Sequence, residues 1–323
     1  MRNIVLILEY DGRLFHGWQS QANAAAVYDI VKAALCSLGA APVRLAGASR
    51  TDAGVHAAGQ VANFYTKSGI PAGKFAYALN SKLPDGIACS GSSEAAPGFH
   101  ARFSAVGKTY SYTVLNRRHP SALSAGRAWH VPLPLDIGAM REAAGLLVGE
   151  HDFRAFMSTG SPVSSTVRTI YKLEVCASPL PAAFAGVPSA FADIPAAFAG
   201  PPGVSPLPAD FAGIPAAFAG IHGIPAAFAG ITGASLPHGD FARSPGVAAG
   251  AANSAADGSA VRLLVEGNGF LYNMVRIIAG TLVYVGQGKL SPAGVAAALS
   301  SGDRTAAGKT APPHGLCLER VMY

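Results

Sequence analysis

Between Pro179 and Gly258 the chain repeats Ile-Pro-Ala-Ala-Phe-Ala-Gly at 194–200, 214–220 and 224–230, with a shortened copy, Pro-Ala-Ala-Phe-Ala-Gly, at 181–186. Proline in every copy blocks both a continuous helix and a central strand. The full copies start 20 and then 10 residues apart, whereas solenoid repeats are longer and regular. The folded body must therefore come from the residues on either side. Residues 179–258 are expected to be a low-complexity insertion, disordered or loosely packed. Two uses compete for it. One is an interaction arm built on its phenylalanines. The other is a tandem expansion in a tolerated surface loop, since loop closure becomes costlier only slowly with length. Its Phe and Ile content favours partial collapse onto the body.

The insertion also hides the charge of the rest. It holds four aspartates and one arginine, a formal charge of −3, so the remaining residues carry +9 of the chain's net +6. A basic body points to a polyanionic partner. With 323 residues, 50% hydrophobic and 13% charged, the chain has ample core for one large domain or two ordinary ones. That balance excludes a wholly disordered protein, and the absence of a glycine triplet period excludes collagen. Cys36, Cys89, Cys176 and Cys317 form no CxxC pair, so they are expected to be reduced, mostly buried thiols of a cytoplasmic protein. The apolar run Ile4–Leu8 is closed at once by Glu9 and Asp11, too short for a signal-peptide core, and no stretch is long and clean enough to span a membrane.

Periodicity predicts strands at Ile4–Glu9, Val43–Ala46, Gln60–Tyr65 and about 87–92, with helices over 24–38, closed near Gly39, and around 72–81. Lys108–Asn116 alternates, with Tyr110, Tyr112 and Val114 on one face and Thr109, Ser111 and Thr113 on the other. The plan then repeats. A helix capped by Asp136 covers about 136–148, strands follow at about 166–177 and 260–266, and 270–286 is helical. A short helix has Pro292 in its first turn, and a last strand lies near 316–322. Two halves of similar plan give an α+β fold with two sheet-bearing subdomains, 1–107 and 108–178 plus 259–323.

The chemistry is concentrated in Gly47-Ala48-Ser49-Arg50-Thr51-Asp52-Ala53-Gly54-Val55-His56-Ala57, which packs Arg, Thr, Asp and His between two apolar strands. The plain alternative is a turn in which Asp52 caps an amide and Arg50 makes a surface ion pair. A lone Asp suits nucleophilic catalysis when it is ionised and desolvated, and a neighbouring Arg holds it ionised. Arg50 is one candidate partner. Arg276 is another, as the one formal charge in the apolar run Phe270–Ile278, where it either snorkels from a core helix or pairs with a carboxylate. Tyr110 is core by default, but Arg102 and Lys108 nearby admit a second reading, since aromatics among basic residues stack nucleobases.

These residues resemble a known family. Ala48–Ala57 is similar to the signature of tRNA pseudouridine synthases of the A type. The likeness continues through Tyr10–Gln19, Phe99–Ala105, Lys108–Tyr112, Gly149–Phe153, Asn268–Gly280 and Gly315–Leu318, in order, over the chain outside 179–258. The resemblance implies two RRM-like, ferredoxin-like α+β subdomains with a cleft between them, the pseudouridine synthase fold. It implies a homodimer that presents a basic surface to tRNA, with no membrane role. The implied enzyme is an isomerase that needs no cofactor and no metal, converting uridine to pseudouridine at positions 38, 39 and 40 of the anticodon stem-loop. In it Asp52 is the catalytic aspartate, Arg50 helps displace the base, Arg276 pairs with Asp52 and Tyr110 stacks on the target base. Ser49 departs from the glycine many relatives carry there. Two rivals remain. A non-catalytic RNA-binding protein leaves the Arg-Asp loop without a role, and a hydrolase using Asp52 lacks a second carboxylate or metal near the loop.

Overall fold

A computed structural model describes residues 1–22, 24–40, 44–160, 163–179 and 258–323. The expected insertion, save its two end residues, lies outside these, as does Val43. In chain order the strands are β1 (Arg2–Tyr10), β2 (Leu45–Gly47), β3 (His56–Thr66), β4 (Ile87–Ala95), β5 (Gly107–Asn116), β6 (Trp129–Val131), β7 (Gly149–Asp152), β8 (Val167–Pro179), β9 (Ser259–Gly267) and β10 (Leu316–Met322). The helices are α1 (Val27–Ser37), α2 (Phe75–Asn80), α3 (Ile137–Gly145), α4 (Met274–Gly286) and α5 (Pro292–Ser301).

The strands follow from alternation. In β1, Ile4, Leu6, Leu8 and Tyr10 are buried on one face, as a period of two requires. Helix α1 buries Val27, Val31, Ala34 and Leu35 and ends before Gly39, whose φ of +67° is the left-handed stop. Asp136 caps α3 by accepting the Ala139 N–H at 2.9 Å, and Ser291 caps α5 ahead of Pro292.

The strands form one sheet in the order β4-β1-β3-β10-β5-β9-β8-β7, with β2 beside β3 and β6 beside β5. The first half supplies β4, β1 and β3. The second supplies β5, β9, β8 and β7. Strand β10 joins them, antiparallel to β5 over most of its length and parallel to β3 through Cys317↔His56 and Leu318↔Ala57. Strands β8 and β9 are antiparallel neighbours whose ladder ends at Pro179↔Ser259. Pro179 and Ser259, far apart in the chain, are therefore cross-strand neighbours.

Eleven of the thirteen residues of α4 are buried, the mark of a helix enclosed on all sides. The segment 308–311 packs directly against it. A Cβ on Gly280 would lie 1.7 Å from the Lys309 carbonyl oxygen, so only glycine permits this approach. Gly308 N–H donates to Thr281 Oγ1 at 2.9 Å, and Ala311 N–H donates to the Arg276 carbonyl at 3.1 Å.

Several expectations need correction. The helix expected over 270–286 begins only at Met274, because Asn273 takes a left-handed conformation with φ +60°. Strand β5 has the expected alternation, and its Thr109 and Ser111 are buried too, beneath Glu266 of β9 and Glu319 of β10, which accept their hydroxyls. Strands β6 and β7 are only three and four residues long and give no alternation to read. All four cysteines are free, but only Cys89 is buried. Cys36 and Cys176 are exposed, because they lie on the solvent sides of α1 and β8. No described helix is long and apolar enough to cross a membrane.

Candidate active site

The segment Ser49-Arg50-Thr51-Asp52 connects β2 to β3 in a nearly extended alternation. Ser49 and Thr51 are buried, Arg50 is exposed and Asp52 is half-buried. The buried pair is tied down by two tyrosines. Ser49 Oγ is 2.7 Å from Tyr110 Oη, and Thr51 Oγ1 is 2.7 Å from Tyr10 Oη. The side-chain amide of buried Gln60 clamps Ser49 further: its Oε1 accepts Ser49 N–H at 3.1 Å and its Nε2 donates to Ser49 O at 2.7 Å. Trp18 N–H donates to Thr51 O at 3.0 Å, a contact allowed by Gly17, whose φ is +82° and whose missing Cβ would strike that same oxygen. Fixed hydroxyls on alternate residues leave Arg50 and Asp52 directed outward.

Arg276, on the first turn of α4, meets Asp52 with Nη1 3.5 Å from Oδ2. Its Nε donates to Ala311 O at 2.8 Å, and Nη1 also donates to Asn273 Oδ1 at 2.7 Å. Asn273 is in turn held by Ser158 Oγ at 3.0 Å. The Arg276 side chain is 15% exposed and that of Asp52 33%. Burial pushes the Asp52 carboxyl above the ordinary range, opposed by the Arg276 charge and hydrogen bond.

Both side chains line a cleft of ≈ 970 Å³ that also receives Tyr110, Phe270 and the loop 48–53. Among the described residues five cationic side chains line it, Arg50, Arg102, Lys108, Arg168 and Arg276, against the single carboxylate of Asp52. Tyr110 meets Phe270 edge to face at 5.3 Å, and burial raises its hydroxyl to about 12. Lys108 Nζ donates to Ala48 O at 2.8 Å, and burial, reinforced by Arg102, lowers its ammonium to about 8. Among the described residues no group of three or more His, Cys, Asp and Glu is arranged to hold a metal.

The structure thus brings Asp52, Arg50, Arg276 and Tyr110 to one cleft. Among the described residues the Asp52 side chain caps no amide; the turn bond is its carbonyl accepting Val55 N–H at 3.1 Å. Arg50 makes no ion pair among the described residues. His56 faces away: Nδ1 accepts Gly12 N–H at 3.2 Å and Nε2 lies 3.0 Å from Gly126 O. Arg168 and Asn273 were not anticipated. Arg168 reaches the cleft only because β8 runs beside it. Asn273 carried a signal, since Asn is the residue most often found left-handed after Gly.

A model of the tRNA pseudouridine synthase family matches residues 6–104, 143–198 and 230–323. Proteins named tRNA pseudouridine synthase A from Ruminiclostridium cellulolyticum, Acetivibrio thermocellus and Geobacter sulfurreducens are 39%, 38% and 36% identical to the chain, each over the full length of both. Taken with the α+β architecture and the Asp52 cleft, these likenesses establish that the chain belongs to the tRNA pseudouridine synthase family, isomerases that convert uridine to pseudouridine.

Proposed function

We propose that this protein isomerises uridine to pseudouridine at positions 38, 39 and 40 of the tRNA anticodon stem-loop, with Asp52 as nucleophile and the target base flipped into the cleft. The observation that carries the reading is the Asp52–Arg276 pair, which holds the one carboxylate among the described residues of a cleft with five cationic side chains. The basic walls suit the phosphates of an RNA backbone, so affinity falls as salt rises. Withdrawing a base from its stack costs a few kcal/mol. Stacking on Tyr110 recovers about 1–3 kcal/mol, and Arg50, exposed beside Asp52, enters the space the base vacates.

Arg276 keeps Asp52 ionised against the burial that favours its neutral form. The carboxylate attacks ribose C1′ or uracil C6. The N1–C1′ bond breaks, uracil rotates, and C5 bonds to C1′; the bond to Asp52 breaks and returns the free carboxylate, the C5 proton is lost and N1 gains one. The product is an isomer, so no redox partner or nucleotide is consumed. We take residues 1–107 as the half that brings the nucleophile and 108–178 plus 259–323 as the half that brings Tyr110 and Arg276. The working protein is read as a cytoplasmic homodimer.

The test is unmodified tRNA bearing uridines at 38 to 40, incubated with wild type and with Asp52→Asn, followed by carbodiimide labelling and primer extension. Stops at those positions with wild type alone are expected. tRNA binding without stops would favour the non-catalytic RNA-binding alternative.

A further inference from the structure

The turn Phe99–Ala105 has no part in the chemistry above, yet it is built with unusual care. Two buried asparagines hold it. Asn3 Nδ2 donates to Ala96 O and Phe99 O, both at 2.9 Å. Asn63 Oδ1 accepts Ala101 N–H at 2.8 Å, and Asn63 Nδ2 donates to Asn3 Oδ1 at 2.9 Å. Tyr323 Oη donates to Ala101 O at 2.8 Å, and His100 and Ser104 exchange two further bonds. Ala101, fully buried, packs with Val61 and Ala48, the residue that opens the Asp52 loop. The turn is therefore fixed in position relative to the nucleophile.

What this scaffold presents is Phe103, 76% exposed. A lone exposed aromatic needs no explanation, but this ring has company. Arg102 lies 5.7 Å from its centroid and His100 packs against it at 4.4 Å. Arg102 also lines the cleft, so the ring stands at its rim with cations beside it.

We propose that Phe103 is a stacking platform for an unpaired nucleobase of the bound tRNA, with Arg102 reaching the adjoining phosphate. An aromatic face flanked by arginine, on a rigid turn beside a basic cleft, is the chemistry that takes single-stranded nucleotides irrespective of base. This rests on the reading of the substrate as tRNA. Its role is to hold the RNA while Tyr110 and Asp52 act on the target base.

Three variants test it, assayed with unmodified tRNA. Phe103→Leu keeps an apolar side chain but loses the π-face, and is expected to raise KM for tRNA on the order of 5- to 150-fold with kcat preserved. Phe103→Tyr is expected to keep KM near wild type. The indole introduced by Phe103→Trp is expected to change its emission when tRNA is added. An unchanged KM in Phe103→Leu overturns the proposal. So does a KM change that comes with an altered sedimentation mass, which would assign the ring to contact between copies. If wild type forms no pseudouridine, the substrate reading fails instead, and the indole emission still reports whether RNA reaches this turn.

Discussion

Arg276 Nη1 sits 3.5 Å from Asp52 Oδ2 across 224 residues of sequence, and Ala311 O, 2.8 Å from its Nε, fixes the angle at which it arrives. Burial and the arginine act on the Asp52 carboxyl in opposite directions. Arg276→Ala leaves burial unopposed, so the carboxyl rises further. The acid limb of kcat is expected to move to higher pH, with part of the lost activity returning as pH rises. Arg276→Lys keeps the charge but loses the fork to Asn273 and Ala311, and should fall between the two. A pH–rate profile of all three proteins decides it. A uniform loss with no shift of the limb would mean that Arg276 acts on something other than Asp52.

Ser49 and Tyr110 share a buried hydrogen bond. Ser49→Ala leaves the tyrosine hydroxyl without its partner, at a cost of about 1–3 kcal/mol. Tyr110→Phe in the same chain removes the orphaned group. The double variant is therefore expected to resist urea better than Ser49→Ala alone. Matching denaturation midpoints for the two would show that solvent satisfies the stranded hydroxyl.

Lys108 is the cleft cation whose charge is most sensitive to alkali. Burial brings it to about 8 in the folded protein, against the 10.5 of a free lysine. Between those values the unfolded chain binds the proton and the folded chain does not, so stability rises with pH across that window. Lys108→Met should abolish the rise, seen by urea melts at about pH 7 and about pH 9. The same loss of charge weakens phosphate binding, so KM for tRNA is expected to climb through this range in wild type and stay flatter in Lys108→Arg.

The pairing of Pro179 with Ser259 makes residues 180–257 equivalent, topologically, to a hairpin loop. Replacing them with a turn of about two to five residues is expected to leave kcat and KM within about twofold of wild type, since hairpin loops of that length join such strands readily. Pseudouridine formation by the shortened protein is the measurement. Its loss would assign the segment a part in catalysis or assembly.

How much was legible beforehand depended on how local each feature is. The Asp52 loop could be read because Ser49, Arg50, Thr51 and Asp52 are contiguous. Arg276 announced itself as a lone charge in an apolar run. The α4 boundary was missed by four residues because one left-handed asparagine decided it, and hydrophobic periodicity cannot register a single φ. Gln60 is buried in the middle of a strand, and its clamp on Ser49 depends on the register of β2 and β3. The burial of Thr109 and Ser111 needed carboxylates from β9 and β10, far away in sequence. Composition also misled on the cysteines, because a residue type that usually lies inside says nothing about which face of α1 or β8 it occupies.

Strand β10 has a consequence for synthesis. Residues 316–322 leave the ribosome after every other described strand, yet they fill the place between β3 and β5. Until they emerge, β3 has an unpaired edge beside the Asp52 loop, and β5 has another. The two strand sets can fold early, but they cannot share a sheet or enclose the cleft. A nascent chain stalled before residue 316 should therefore be inert and prone to edge-to-edge association. The cleft is closed only once β10 has joined the two strand sets.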